Sequence, residues 1–455
     1  MISATYAAVA LSVLLVSRPI VGLAIVVASA VFVVGLRSTS ISVGCILLSI
    51  PIQDAGALTF GSLPITWTKV VVAAAALAWL FRVLADPTQL QFDVTSAVFL
   101  AFVVILMASV VNAREFGAWV GDVYRWGVAL IVYLMAISAL RDGRFPTVLV
   151  GASAVAVIGT SVVGFSQVLT GAGPPSFEAR GLTRAYGAFG EPNPFAGYLE
   201  MTVPLLGAVA VSGLRYRNVD DQSFLGRWLW WLATLAAFLG GIALVLTQSR
   251  GGLLGLLASM FVMLMLTGHL WSWVATGFVV FAAALLLVTP FGSNLASGAF
   301  GTRGFQQVTP ANYAEHERLA HWKTGVAMTN MYPALGVGAG NYSVRYREFA
   351  RVWRFRISRG HAHNTYIHTA AQSGWLGLLG YVGLLGTAVW RLLRSLRFCR
   401  HPMHRALVVG AVGVTAAVMV HGMFDYLHVL SLGLQLSAIW ALGDLSERDW
   451  REPES

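Results

Sequence analysis

Apolar stretches of about 17 to 25 residues run along nearly the whole chain, broken by short polar punctuation, and each is long enough to cross about 30 Å of hydrocarbon as a helix. The clearest fall near residues 67–84, 95–111, 123–140, 146–170, 194–213, 227–247, 251–267, 272–289, 374–393, 406–424 and 428–445. Residues 3–52 hold two or three more with softer borders. The pattern predicts an all-α polytopic membrane protein with roughly 12–14 transmembrane helices. Strands of a membrane barrel would alternate in short segments, and nothing here does. One long polar interruption, residues 290–373, comes late in the chain. The expected organisation is therefore N-terminal spans (1–170), a middle group with outer loops (171–289), one large helical loop (290–373), and C-terminal spans with a short tail (374–455).

Composition agrees with this setting. Hydrophobic residues make up 57% of the chain and charged ones 11%, which excludes a water-soluble globule. The first apolar segment has no charged lead and no small-residue cleavage site, so it is expected to be retained as a helix. Cys45 and Cys399 lie far apart, in or beside predicted helices, and read as packing residues rather than a disulfide or thiolate site. Nothing in the pattern points to nucleic acid.

Short-loop arginines set the expected orientation. Arg141, Arg144, Arg215, Arg217 and Arg227, with the cluster Arg391, Arg394, Arg397, Arg400 and Arg405, should face the cytoplasm. Threading the helices between them puts both termini inside. Five stretches then lie outside: about 53–66, 112–122, 171–193, the Ser249–Gly252 turn, and 290–373.

The large loop carries nine Lys/Arg against three acidic residues, an excess of +6, and five of the ten histidines. Two accounts stand side by side: long loops translocate whatever their charge, or this one handles something anionic. Val344 to Ile357 places Tyr346, Phe349, Trp353 and Ile357 at helical spacing, with Arg347, Arg351 and Arg354 on another face. That spacing predicts either a basic amphipathic helix in the lipid headgroup layer or an ordinary packed loop helix. Pro333 to Asn341 contains Gly336, Gly338 and Gly340 without a preceding strand, and reads as a tight turn rather than a nucleotide loop. Elsewhere the ionisable residues Lys69, Asp122, Arg125, Glu200, Arg250 and Asp425 are expected at or near the outer interface. An ion-coupled carrier would place such groups near the midplane, so the gathering on one face favours a reaction at the membrane surface.

Arginines with a histidine suit one class of reaction. Transfer of a sugar from a lipid diphosphate needs guanidinium groups to stabilise the leaving anion and a base to deprotonate a hydroxyl acceptor. His361, His363 and His368 match no standard zinc spacing, and no Asp-x-Asp pair occurs in the outer loops, so no metal is expected.

The segments Thr247-Gln-Ser-Arg-Gly-Gly252, Glu317-Arg318-x-x-x-Trp322, Pro333 to Asn341, and His363-Asn364-x-Tyr366 followed by Gln372-Ser-Gly-Trp-Leu-Gly377 together resemble the O-antigen ligase and polymerase superfamily. Arg184 to Ala196, containing Glu191-Pro-Asn193-Pro, is similar to that family's lead-in to the preceding helix. The likeness covers about residues 180–445. It implies a GT-C-like, metal-independent, inverting glycosyltransferase without cofactors, in the bacterial inner membrane with its site on the periplasmic face. An undecaprenyl-diphosphate-linked glycan would be donor and membrane lipids the surroundings. By resemblance His363 is the candidate base, and Arg250 and Arg318 the candidate diphosphate clamps. Arg184 is a further candidate from its outer position, Asn193 and Asn364 are supporting residues that organise loop backbone, and Glu191 or Glu315 is the candidate carboxylate partner of His363. His361 and His368 read as structural. Polymerases of the family are expected to carry paired Arg-x10-Gly motifs, and no outer-loop arginine has glycine eleven positions on. That favours lipid A-core as acceptor over another lipid-linked repeat or a protein; a glycan transporter is the rival of another class.

Overall fold

A computed structural model describes residues 19–55, 58–60, 63–179, 181–215, 224–267, 308, 313–358, 360–399 and 401–445. The expected span at 272–289 and the first part of the large loop, with Arg303, lie outside the described residues, as does most of the first apolar segment. Fourteen helices follow in chain order: α1 Pro19–Arg37, α2 Thr39–Ser49, α3 Trp67–Ala85, α4 Val94–Ala108, α5 Phe116–Ala139, α6 Phe145–Thr170, α7 Pro192–Arg215, α8 Phe224–Leu246, α9 Arg250–Thr267, α10 Tyr313–Met331, α11 Tyr342–Phe349, α12 Thr365–Phe398, α13 Pro402–His421 and α14 Leu432–Trp440. Two short antiparallel hairpins, β1 Leu58–Phe60 with β2 Leu63–Ile65 and β3 Glu178–Ala179 with β4 Leu182–Thr183, are the strands among the described residues.

Among the described residues nine helices are long and apolar enough to cross a membrane, with α2 and α9 as shorter apolar companions. The protein is an all-α, multi-pass membrane protein. Local chemistry marks the helix boundaries. Ser38 interrupts the apolar N-terminal run by capping α2 through Ile41 N, Asp93 and Ser96 form a reciprocal capping box at α4, and Asn364 caps α12 through Ile367 N, each satisfying backbone donors that a helix start leaves open. The expected span 428–445 is a helix of nine residues, α14, followed by a 3-10 turn, and is buried along its length.

Small residues bring the central helices together. Gly410 of α13 lies against Leu205 of α7, Gly413 against Ser259 and Met263 of α9, and Gly255 of α9 against Glu200 of α7. Helices in lipid gain nothing from expelling water between them and rely on such close contact.

The five stretches expected on the outer side converge on one end of this bundle. Gln53 donates to the Leu430 carbonyl at 2.8 Å, Asn112 to that of Gly336 at 2.8 Å, and Arg184 to that of Thr247 at 2.7 Å. Arg250 reaches Glu315 in the large loop at 3.4 Å. The glycine turn is the wedge that joins the loop to the bundle. Gly336, Gly338 and Gly340 all have positive φ, and a Cβ on them would strike the backbones of Gln372, Ala113 and Ala118. Val337 N and Gly338 N donate to the Ala371 and Gln372 carbonyls. Their docking coincides with a break in α12 at Gly374 (φ 67°, ψ −167°), where the long apolar run begins; helix extends the element back to Thr365.

Two expectations change. The 344–357 stretch is not one amphipathic helix: α11 ends at Phe349, and Trp353 begins a separate 3-10 turn. Tyr342 and Tyr346 are buried with Met328, Val337 and Ala371 in the loop's own core, whereas Trp353 and Ile357 are 77% and 85% exposed. The aromatic period is thus shared between a core and a surface. Second, Glu200 is not at the interface. It lies eight residues into α7, about 12 Å along the helix axis, fully buried and paired with His421 at 2.9 Å.

Candidate active site

The centre forms where the His361–Thr365 segment meets the turn after α13. Thr365 N donates to the Gly422 carbonyl at 2.7 Å, Asn364 Nδ2 to that of Met423 at 2.9 Å, and Thr365 Oγ1 to that of Asp425 at 3.0 Å. Asn364 therefore does two jobs, capping α12 and stitching its start to the opposite turn. This places His363 in the left-handed region, φ 50°, a conformation that costs a β-carbon residue on the order of 1–3 kcal/mol and collects at functional sites. Trp322, from the Glu-Arg-x-x-x-Trp motif on α10, holds the His363 carbonyl through its indole N–H at 3.1 Å.

His363 Nδ1 stands 3.2 Å from Asp425 Oδ1. With Nδ1 donating to the carboxylate, Nε2 carries the lone pair and is the nitrogen open to a reacting group. Asp425 is itself fully engaged: Asn193 Nδ2 donates to Oδ2 at 2.8 Å and Tyr426 N to Oδ1 at 2.8 Å. Burial alone would raise its pKa, but the hydrogen bond and charge of His363, with His361 and Arg318, hold it well below the usual carboxylate range. Asp425 thus remains a carboxylate, suited to stabilising an imidazolium beside it. The carboxylate expected here was Glu191 or Glu315. Glu191 is exposed at the start of α7, where its carbonyl accepts from Phe195 N, and Glu315 pairs with Arg250. Asp425 was legible only as a lone charge between two apolar runs, with no motif around it.

The arginines expected from the sequence gather on this centre. Arg184 donates through Nε to the Thr247 carbonyl and through Nη2 to Asn193 Oδ1 at 3.0 Å, so Asn193 links Arg184 to Asp425. Burial and the nearby guanidinium groups of Arg318 and Arg250 lower the Arg184 pKa, against an opposing pull from Asp425. Arg250 starts α9, with Gly251 against the His421 ring and Gly255 against the Glu200 carboxylate; larger residues there would push the guanidinium away. Its neighbour Gln248 is also in positive φ, 51°. Arg318 comes from α10, and its charge acts on Arg184, His361 and Asp425. Three guanidinium groups converging beside one histidine–carboxylate pair make a cradle for a polyanion.

His361 and His368 have supporting positions. His361 Nδ1 accepts from His363 N at 3.3 Å and lies 3.8 Å from Asp425, and burial lowers its pKa to about 4, helped by His363 and Arg318 and opposed by Asp425. His368 Nδ1 accepts from Ala362 N at 3.4 Å. One ring nitrogen each of His361 and His363 and one Asp425 oxygen lie within 4.8 Å of one another, close enough for one cation to bridge.

Residues 235–382 match the family model described as O-antigen ligase. Over that span the chain is similar to the O-antigen ligase family. The match takes in Arg250, Arg318, Trp322 and His363, while Arg184, Asn193 and Asp425 join them from outside it through the contacts above. A comparison with curated proteins gave no match.

Proposed function

We propose that the protein is a metal-independent, inverting O-antigen ligase of GT-C-like architecture, which transfers a glycan from undecaprenyl diphosphate to a hydroxyl of lipid A-core at the periplasmic face of the inner membrane. The observation that carries this reading is the convergence of Arg184, Arg250 and Arg318 on the His363–Asp425 pair. The donor diphosphate rests against the guanidinium groups, with its polyprenyl tail in the bilayer. The acceptor hydroxyl approaches His363 Nε2, which takes its proton as the oxygen attacks the anomeric carbon. The bond from that carbon to the diphosphate oxygen breaks on the opposite face. Undecaprenyl diphosphate leaves with the electron pair, its charge held by the arginines, while Asp425 stabilises the imidazolium.

A metal-free route is supported by the use already made of the histidine nitrogens. His363 Nδ1 is bonded to Asp425 and His361 Nδ1 to a backbone N–H, and a cation between them would have to displace both bonds. A second reading, carriage of a lipid-linked glycan, draws on the buried Glu200–His421 pair, since ionisable groups at depth are a carrier's usual equipment.

The test is purified protein with an undecaprenyl-diphosphate-linked glycan, given lipid A-core in one reaction and donor alone in another, each with and without EDTA. Product on lipid A-core that survives EDTA is the expected result. A ladder from donor alone means a polymerase, product lost with EDTA means a metal enzyme, and translocation without glycosidic bond formation means a carrier.

A further inference from the structure

Glu200 of α7 and His421, the last residue of α13, form a buried ionisable pair that takes no part in the proposed proton transfer. They are 0% and 1% exposed, with His421 Nδ1 2.9 Å from Glu200 Oε2. The second Glu200 oxygen, Oε1, has no hydrogen-bond partner among the described residues. Such a pair is a poor choice for stability alone. Well-packed apolar residues in the same place are often as stable or more so, and an unsatisfied buried oxygen costs about 1–3 kcal/mol. What the pair touches accounts for its presence.

The main chain of His421 opens the turn that presents Asp425: its carbonyl accepts from Phe424 N at 2.8 Å and from Asp425 N at 3.0 Å. The segment carrying His363 is stitched to this same turn through Gly422, Met423 and Asp425. On its other side the pair is the seat of α9. A Cβ on Gly251 would lie 2.4 Å from the His421 ring. One on Gly255, a turn further along, would lie 2.4 Å from the Glu200 carboxylate and 3.1 Å from the Ala417 carbonyl. Gly252 closes in the same way on Ala196, one turn before Glu200 on α7. A glycine face lets α9 settle directly on the paired side chains, and Arg250 is the residue at its start. From α7 the grip is double. Asn193 precedes Glu200 by seven residues, about two turns, and so shares its helix face; it holds the Asp425 carboxylate at 2.8 Å. One attachment locates a turn, and two fix its orientation.

We infer that Glu200 and His421 are positioning residues, which fix the turn carrying Asp425 against the helix end carrying Arg250 and so set the separation between base and diphosphate clamp. They act through Asp425 and Arg250 rather than on the substrate. The inference rests on the proposed transfer reaction and adds to it a device inside the membrane-spanning bundle. It also gives the pair a use other than ion coupling: the hydrogen bond between the two side chains matters, not the exchange of a proton.

The experiment is transfer kinetics with undecaprenyl diphosphate titration on the full chain in lipid nanodiscs, for Glu200→Gln, Glu200→Ala and Gly251→Ala. In Glu200→Gln the side-chain carbonyl still accepts from His421 Nδ1, so transfer stays within about threefold of the unaltered protein. Glu200→Ala releases the turn and lowers kcat by about 10- to 100-fold, as a misplacement of about 1 Å does, while donor binding holds. Gly251→Ala presses on the same pair from α9 and gives the same pattern, and it decides if Glu200→Ala fails to fold. In an Asp425→Asn background Glu200→Ala lowers transfer by less than about threefold more, because residues that act as a unit are not additive. A pair that only stabilises the fold gives a lower melting temperature with turnover per folded molecule intact, or an undiminished loss in the Asp425→Asn background. Either result overturns the inference, as does a Glu200→Gln protein as inactive as Glu200→Ala, which makes the proton and not the position decisive. A transferase is left standing in each of these cases. An unaltered protein that makes no glycosidic product defeats the transfer reaction itself, and the inference falls with it.

Discussion

Two arginine sites stand in this molecule, one buried and one partly open to solvent, and they are built on different plans. Toward the end of α12, Arg391 is almost wholly buried and forms ion pairs with both Asp93 and Asp444, the first of which also accepts from Tyr133 OH at 2.7 Å. One cation there meets two carboxylates from two other elements, and the group ties three parts of the fold together. At the other site Arg184, Arg250 and Arg318 crowd together, with Glu315 on Arg250 and the already engaged Asp425 as the nearby carboxylates. A cation buried for structure is compensated by the protein itself, because an unpaired buried charge is costly. The contrast separates one arginine matched by two carboxylates from three arginines gathered near a single histidine–carboxylate pair, although both kinds look alike as letters.

The largest effect is expected at the pair the three arginines surround. His363→Ala should lower transfer by about 10³- to 10⁴-fold, the upper range for a positioned general base, and Asp425→Asn should approach it, since the amide cannot stabilise an imidazolium. Both should still bind donor, as followed by undecaprenyl diphosphate titration; loss of binding in either would make the pair a structural feature. Next comes Arg391→Met, which leaves two carboxylates facing each other. It should destabilise the folded protein by about 3–5 kcal/mol, read as a drop in detergent melting temperature, with turnover per folded molecule preserved. An activity loss without a stability loss would erase the distinction between the two sites. Arg250→Lys should then cost about 100-fold in transfer with little change in melting temperature, because a point charge cannot reproduce a bidentate clamp.

The smallest effect concerns pH. His361 has a folded pKa of about 4 against 6.5 for an exposed imidazole. Between those values the unfolded chain binds the extra proton, so stability falls as pH drops from about 6.5 to about 4. Asp425, depressed below the carboxylate range, gives stability that is lost only at still lower pH. His361→Gln should therefore flatten the loss of melting temperature in the upper window and leave the lower one; an unchanged profile would show that His361 does not titrate with folding.

Particular residues show how far the chain could be read directly. The apolar runs predicted the helices of the described residues well, because lipid allows a spanning backbone few other solutions. Gly336, Gly338 and Gly340 read as a turn and are one, since only glycine tolerates both their φ values and the backbone pressed against them. His363, Arg250 and Arg318 were legible because motif order survives translation into one dimension, and the structure brings all three to one centre. The Tyr346–Ile357 period misled, because helical spacing does not say where the helix stops or whether its apolar face meets lipid or its own loop. Glu200 misled too: hydropathy counts a charge but does not reveal the histidine on another helix that neutralises it.

By itself the sequence determined the membrane setting, the number and order of most spans, the likeness to the O-antigen ligase family over residues 235–382 and the candidate histidine and arginines, all of which depend on local composition or on spacing along the chain. Only the tertiary structure decided that Asp425 partners His363 from 62 positions away and that Asn193 connects Arg184 to that carboxylate. Those facts rest on which helix ends meet. Packing among small residues and buried polar pairs sets that, and no stretch of sequence contains it alone.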